Sequence, residues 1–211
     1  MPVKLNEREY RQINVGEFTR SEDDNQMIVE GYATTFDQPY TLYDSGEYRV
    51  MESISKDAFA NADMADCIMQ YDHEGRVFAR VKNDTLSLSV DDHGLKIRAN
   101  LGGTALGRQL YEEIKGGYTD KMSFGFTVAK DERTEERDEQ TNRTIIHRNI
   151  TAIKKLYDVS AVSIPANPNT EILSARSFCD GVIAEIEEER LAEEARRKKI
   201  QRIKIMMEAN K

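Results

Sequence analysis

Hydrolysis of a peptide by serine needs a hydroxyl, an imidazole that can take its proton, and a third group that holds the imidazole in one tautomer. The chain has three histidines, His73, His93 and His147, so the search for the imidazole is short. His73 follows the apolar run CIMQY in YDHEG, which puts it at the end of a buried strand, whereas His93 falls in a hairpin turn and His147 in a polar strand. The hydroxyl that draws notice is Ser123 in MSFGFTV. There Met122, Phe124, Phe126 and Val128 alternate with Ser123, Gly125 and Thr127, so Ser123 faces away from the aromatic, core-directed side. On residue type alone, His73 reads also as a structural turn residue and Ser123 as an ordinary strand serine.

Other chemistries are less well supplied. No G-x-S-x-G elbow is present, which disfavours an α/β-hydrolase. The stretch GGTALGRQ has the glycines of a phosphate loop but carries Arg108-Gln109 where Lys and Ser or Thr are required. There is no H-E-x-x-H and no second histidine near His73, so neither a metal nor another cofactor is expected. Cys67 and Cys179 lie far apart, match no disulfide or zinc spacing, and read as ordinary thiols, Cys67 within a core strand.

These residues must be positioned by one domain of modest size. The 211 residues are 39% hydrophobic and 32% charged, enough for one core plus an appendage. The net charge of −8, with basic residues interleaved among acids, argues against a nucleic-acid binder and for protein partners. The apolar runs are strand-sized and MPVKLNEREY has no apolar signal core, so a membrane is not expected and a cytosolic origin is.

The periodicities sketch the elements. MIVEGYATTF (27–36) reads as a strand, and Ser55 as the N-cap of a short helix in SKDAFANAD. Residues 77–81, 86–90 and 95–101 alternate as a three-stranded antiparallel meander, with Gly94 supplying a positive φ at its last turn. Leu106, Leu110 and Ile114 recur every four residues, which predicts a helix over 104–115 ended by Gly116-Gly117. Residues 130–142 are nearly all polar and are expected to form a long exposed hairpin loop. LYDVSAVSIP is the last strand, with Asp158 and Ser160 on one face, stopped by a turn at PANPN. Residues 183–209 predict a charged, imperfectly amphipathic helix, acidic first and basic later. Two units result: a domain over 1–178 and a helical appendage over 179–211.

Three blocks, YDHEGRVFARV, the helix ending GGY before KMSFGF, and LYDVSAVSIPANP, resemble in order and separation the signature blocks of HK97-type phage prohead proteases. The upstream YDSGEYRVMESISKDAF is also similar, and together the blocks span roughly residues 28 to 176. The resemblance implies an α+β, mainly β fold like that of the herpesvirus assembly protease: a small closed antiparallel β-barrel flanked by helices, with a C-terminal helical extension. It implies His73 as general base, Ser123 as nucleophile and Asp158 as third member. Herpesvirus enzymes place a second histidine there and many phage relatives a glutamate, so Asp158 would have to reach the imidazole with a shorter side chain; Asp72 is the rival orienter. The implied activity is a serine endopeptidase of capsid maturation. Its partners would be the scaffolding segment of the major capsid protein and the protease itself, inside the assembling prohead in the host bacterial cytoplasm. Dimerisation in the herpesvirus branch leaves a homo-oligomer open. The reading from another class is a non-proteolytic scaffolding protein with the same barrel.

Overall fold

The structure is a computed structural model and describes residues 7–13, 19–20, 26–162 and 168–209. Its strands are β1 (Glu9–Ile13), β2 (Thr19–Arg20), β3 (Ile28–Thr35), β4 (Tyr40–Asp44), β5 (Tyr48–Ile54), β6 (Ile68–Tyr71), β7 (Glu74–Arg80), β8 (Leu86–Val90), β9 (Gly94–Asn100), β10 (Lys121–Asp138) and β11 (Arg143–Val162). Two α-helices, α1 (Ala105–Lys115) and α2 (Pro168–Ala209), complete the α+β architecture.

β10 and β11 form one long antiparallel ladder around which the larger sheet is built, in the order β1-β10-β11-β5-β4. The outer edge of β11 is shared. Its first half pairs in parallel with β5, Thr144 to Ile150 against Tyr48 to Ile54, and its last residues pair in parallel with β6, Asp158 to Ala161 against Ile68 to Tyr71. β7 returns antiparallel along β6. The smaller sheet runs β2-β3-β9-β8. Phe124, Phe126, Leu156 and Val159 of the larger sheet meet Val29, Ala33, Leu95 and Ile97 of the smaller in one buried cluster. α1 adds Leu110, Tyr111 and Ile114, and is capped by Thr104, whose Oγ1 accepts from the Gly107 amide at 2.9 Å.

The expected closed barrel does not form. Closure requires outer strands to exchange ladder hydrogen bonds. Among the described residues β1 and β4 end the larger sheet on opposite sides, and the smaller sheet packs against it without joining it. The expected meander is divided for a related reason: β7 pairs with β6, and a 3-10 turn at Val81–Asn83 with a left-handed Asp84 (φ 60°) sends β8 and β9 to the other sheet. Gly94 is required by crowding, since a Cβ there would lie 1.9 Å from the Thr34 carbonyl oxygen; its φ is not positive. Ser55 precedes a 3-10 helix, Lys56–Phe59, but donates to Asn149 Oδ1 at 3.1 Å and caps nothing.

The polar stretch 130–142 is mostly strand, with only 139–142 as the turn. Its partner strand buries Ile146, Arg148 and Ile150, and ion pairs such as Arg148–Asp131 and Arg190–Glu135 tie the charged ladder to its neighbours. α2 starts earlier than the apolar stripe indicated. Cys179, Val182 and Ile186 pack on Val50 and Ile146, after which Leu191, Ile200 and Ile203 are exposed. Most of the expected PANPN turn, at 165–167, lies outside the described residues.

β1 is fastened to the sheet by buried charges. Arg11 Nε donates to Glu52 Oε1 at 2.6 Å, Arg148 Nη1 donates to Glu52 Oε2 at 2.7 Å, and Glu9 and the Tyr40 hydroxyl close the network. Burial alone would raise the pKa of Glu52, but the two guanidinium groups and the hydrogen bonds from Arg11 and Tyr40 bring it down to about 2 from an ordinary 4.5. Glu52→Gln would leave two buried cations under-compensated and is expected to cost about 3–5 kcal/mol at neutral pH in urea unfolding. The Glu52 carboxylate contributes stability fully above its ordinary pKa and loses it as pH falls through about 2, so the variant and the wild type should converge in acid.

Candidate active site

The ladder brings the three candidate side chains together. Ser123 faces Ser160 and Gly125 faces Asp158 across β10 and β11, and period-two alternation puts all four on one side of the sheet. The register slips between Gly125 and Phe126, which makes Tyr157 the extra residue of a bulge in β11 beside Asp158, where such a bulge increases the local twist. His73 arrives from the adjoining hairpin. β6 lies along β11 at Asp158, and the turn from β6 to β7 holds Asp72 (φ 47°) and His73 (φ 59°) in the left-handed region. That conformation is uncommon outside glycine and reverses the chain within two residues, throwing the imidazole over the sheet.

His73 bridges the other two. Nδ1 lies 2.5 Å from Asp158 Oδ1, and Nε2 lies 2.5 Å from Ser123 Oγ. Asp158 has no exposed surface, and burial pushes its pKa up. The hydrogen bond from His73, the Arg8 guanidinium and the Ser160 hydroxyl, which donates to Oδ1 at 2.9 Å, outweigh that and hold it below the usual carboxylate range. An ionised carboxylate can only accept, so Nδ1 carries the hydrogen and a neutral ring presents the Nε2 lone pair to Ser123. This hydroxyl, imidazole and carboxylate can together move a proton off Oγ. The shorter aspartate does reach the imidazole.

The remaining candidates fall elsewhere. Asp72 bonds Tyr71 and its pKa is raised by burial; its backbone amide donates to the Ala161 carbonyl at 3.1 Å. His93 stacks edge-on with Tyr32, and His147 pairs with Glu136 on the outer ladder. Burial pushes the Cys67 and Cys179 thiols up to about 12, which leaves them inert near neutral pH. The glycines of GGTALGRQ follow β9, whose neighbours are both antiparallel, and lack the parallel strand of a phosphate loop. Among the described residues no three His, Cys, Asp or Glu gather to hold a metal ion, and no helix is long and apolar enough to cross a membrane.

The alternation in MSFGFTV is present, but the face bearing Ser123 is covered as fully as the aromatic face. β1 runs antiparallel to β10 with Gln12 opposite Ser123. Ser123 Oγ lies 3.1 Å from the Arg11 carbonyl oxygen, the Tyr10 ring stands edge-on to His73 with centroids 4.5 Å apart, and Arg8 bonds Asp158. Sequence reasoning missed this segment. EREYRQI alternates weakly and carries nothing that ties it to residues more than 60 positions away.

The family model described as caudovirus prohead serine protease matches residues 17–181. The chain belongs to that family. Ser123, His73 and Asp158 all lie within the matched segment of this prohead protease family member, and β1 precedes it. Comparison with curated proteins gave no match, and comparison with solved structures gave none.

Gly125 makes room for the carboxylate: a Cβ there would meet Asp158 Oδ2 at 2.5 Å and Arg8 Nε and Tyr10 Cε1 at 3.0 Å. Gly125→Ala should displace Asp158 from His73. The wild type is expected to show a far-downfield Nδ1 proton resonance, which in Gly125→Ala should move upfield or vanish, while an unchanged resonance would show that the crowding is relieved elsewhere.

Proposed function

We propose that the protein is a serine endopeptidase of capsid maturation in which Ser123 is the nucleophile, His73 the general base and Asp158 the group that orients and stabilises the imidazolium. The observation that carries this reading is the single imidazole placed 2.5 Å from both the Ser123 hydroxyl and the Asp158 carboxylate, in a chain of the prohead protease family.

Oγ attacks the scissile carbonyl carbon as its proton passes to Nε2, and the carbonyl electron pair becomes an oxyanion stabilised by backbone N–H groups. Collapse breaks the C–N bond, with Nε2 returning the proton to the leaving amine. Water then repeats the sequence on the acyl ester, freeing Ser123. Asp158 contributes by keeping Nδ1 protonated throughout, so that the basic lone pair always points at Oγ.

The substrates are the scaffolding segment of the major capsid protein and the protease itself, inside the prohead in the host cytoplasm. Residues 1–178 form the protease unit. Residues 179–211 are an appendage that tethers it to the scaffold and is removed by self-cleavage. The acidic start and basic end of that stretch, and its exposed apolar residues beyond Glu189, suit a protein contact.

Co-expression with the capsid protein and intact-mass analysis tests the reading. Wild type should yield a truncated capsid protein and a truncated protease, and Ser123→Ala neither, with its fold retained. Asp158→Asn should lower the processing rate by about ten-thousand-fold through the wrong tautomer. Processing that survives Ser123→Ala would favour a non-proteolytic, scaffolding role for this chain.

A further inference from the structure

A peptide carbonyl must come to about 3 Å from Ser123 Oγ before any attack is possible. That position is occupied. The Arg11 carbonyl oxygen sits 3.1 Å from Oγ, and neither Ser123 nor Asp158 has any exposed surface. The occupant is an extended strand that pairs antiparallel with the strand of the nucleophile, Tyr10 against Gly125 and Gln12 against Ser123, which is how a peptide joins an open sheet edge. β1 ends the larger sheet, so β10 would have a free edge without it.

The same segment contacts each of the three site residues. Arg8 pairs with Asp158, and its guanidinium is held between the Tyr10 and Tyr157 rings, 5.0 and 4.6 Å from their centroids. Tyr10 covers the His73 ring, and Arg11 anchors the strand through Glu52. The carbonyl also competes for a proton. Ser123 has one hydroxyl hydrogen, and when it is given to Arg11 it is not given to Nε2, so the docked strand opposes activation of the nucleophile as well as access to it.

We propose that β1 is a strap lying in the substrate's place, and that the substrate is an extended peptide that adds as an antiparallel strand to the edge of β10 once the strap has swung away. This rests on Ser123 being the nucleophile. The strap keeps the protease silent while docked, and its release is the activating step.

The full chain carrying Ile13→Cys and Met122→Cys, positions paired in register between β1 and β10, tests this. A fluorophosphonate reports on Ser123 by forming an Oγ–P bond with loss of fluoride, and its rate follows the fraction of molecules with the strap open. Oxidation to the disulfide should slow labelling at least ten-fold relative to the reduced form. Equal rates with the disulfide formed would overturn the strap. A second variant needs no engineered cysteine: Arg8→Ala/Tyr10→Ala weakens the strap and should label at least ten-fold faster than wild type, whereas an unchanged or slower rate counts against it. Absence of Ser123 labelling in every form would instead remove the nucleophile assignment, and the strap with it.

Discussion

A carboxylate with no exposed surface cannot remain ionised unless its surroundings supply donors and positive charge, and Asp158 is such a group. Its donors are His73, Ser160 and Arg8. Each comes from a different part of the chain: the β6–β7 turn, β11 itself and the segment leading into β1. The requirement to compensate one buried charge therefore gathers the turn, the central ladder and the N-terminal strand at a single point. The imidazole tautomer and the direction of the Nε2 lone pair follow from it.

The β10–β11 ladder makes that gathering possible. Pairing Gly125 with Asp158 leaves the carboxylate space that any side chain would fill, and pairing Ser123 with Ser160 sets the hydroxyl one step along the same face. Sharing the outer edge of β11 between β5 and β6 then serves two purposes. β6 delivers His73, while β5 delivers Glu52, whose buried network with Arg11 and Arg148 fixes β1 across the site. The same strand thus supports the Ser123, His73 and Asp158 arrangement and the segment that covers it.

Much of this arrangement was legible in the chain. Alternation in MSFGFTV and LYDVSAV placed Ser123 on the face away from the aromatics and put Asp158 and Ser160 together, since period two is a local property. The meeting of His73 with those strands rested on resemblance to a family, because no periodicity encodes which strands become neighbours. The failures share that cause. β7 looked like the first strand of a meander with β8 and β9, yet it pairs with β6, and the charged stretch 130–138 looked like a loop because the buried side of its ladder is supplied by the following strand, residues 143–152. The Arg11–Glu52–Arg148 network was invisible for the same reason: three charged residues in separate strands read as surface until the sheet order buries them.

The central claim is that Ser123 carries the acyl group during peptide cleavage. Acid-quenching the protease while it processes the capsid protein, followed by peptide mapping, tests this most directly. The account predicts an ester-linked substrate fragment on the peptide that contains Ser123, absent in His73→Ala. A fragment attached to another residue, or cleavage with no covalent intermediate at Ser123, would contradict it.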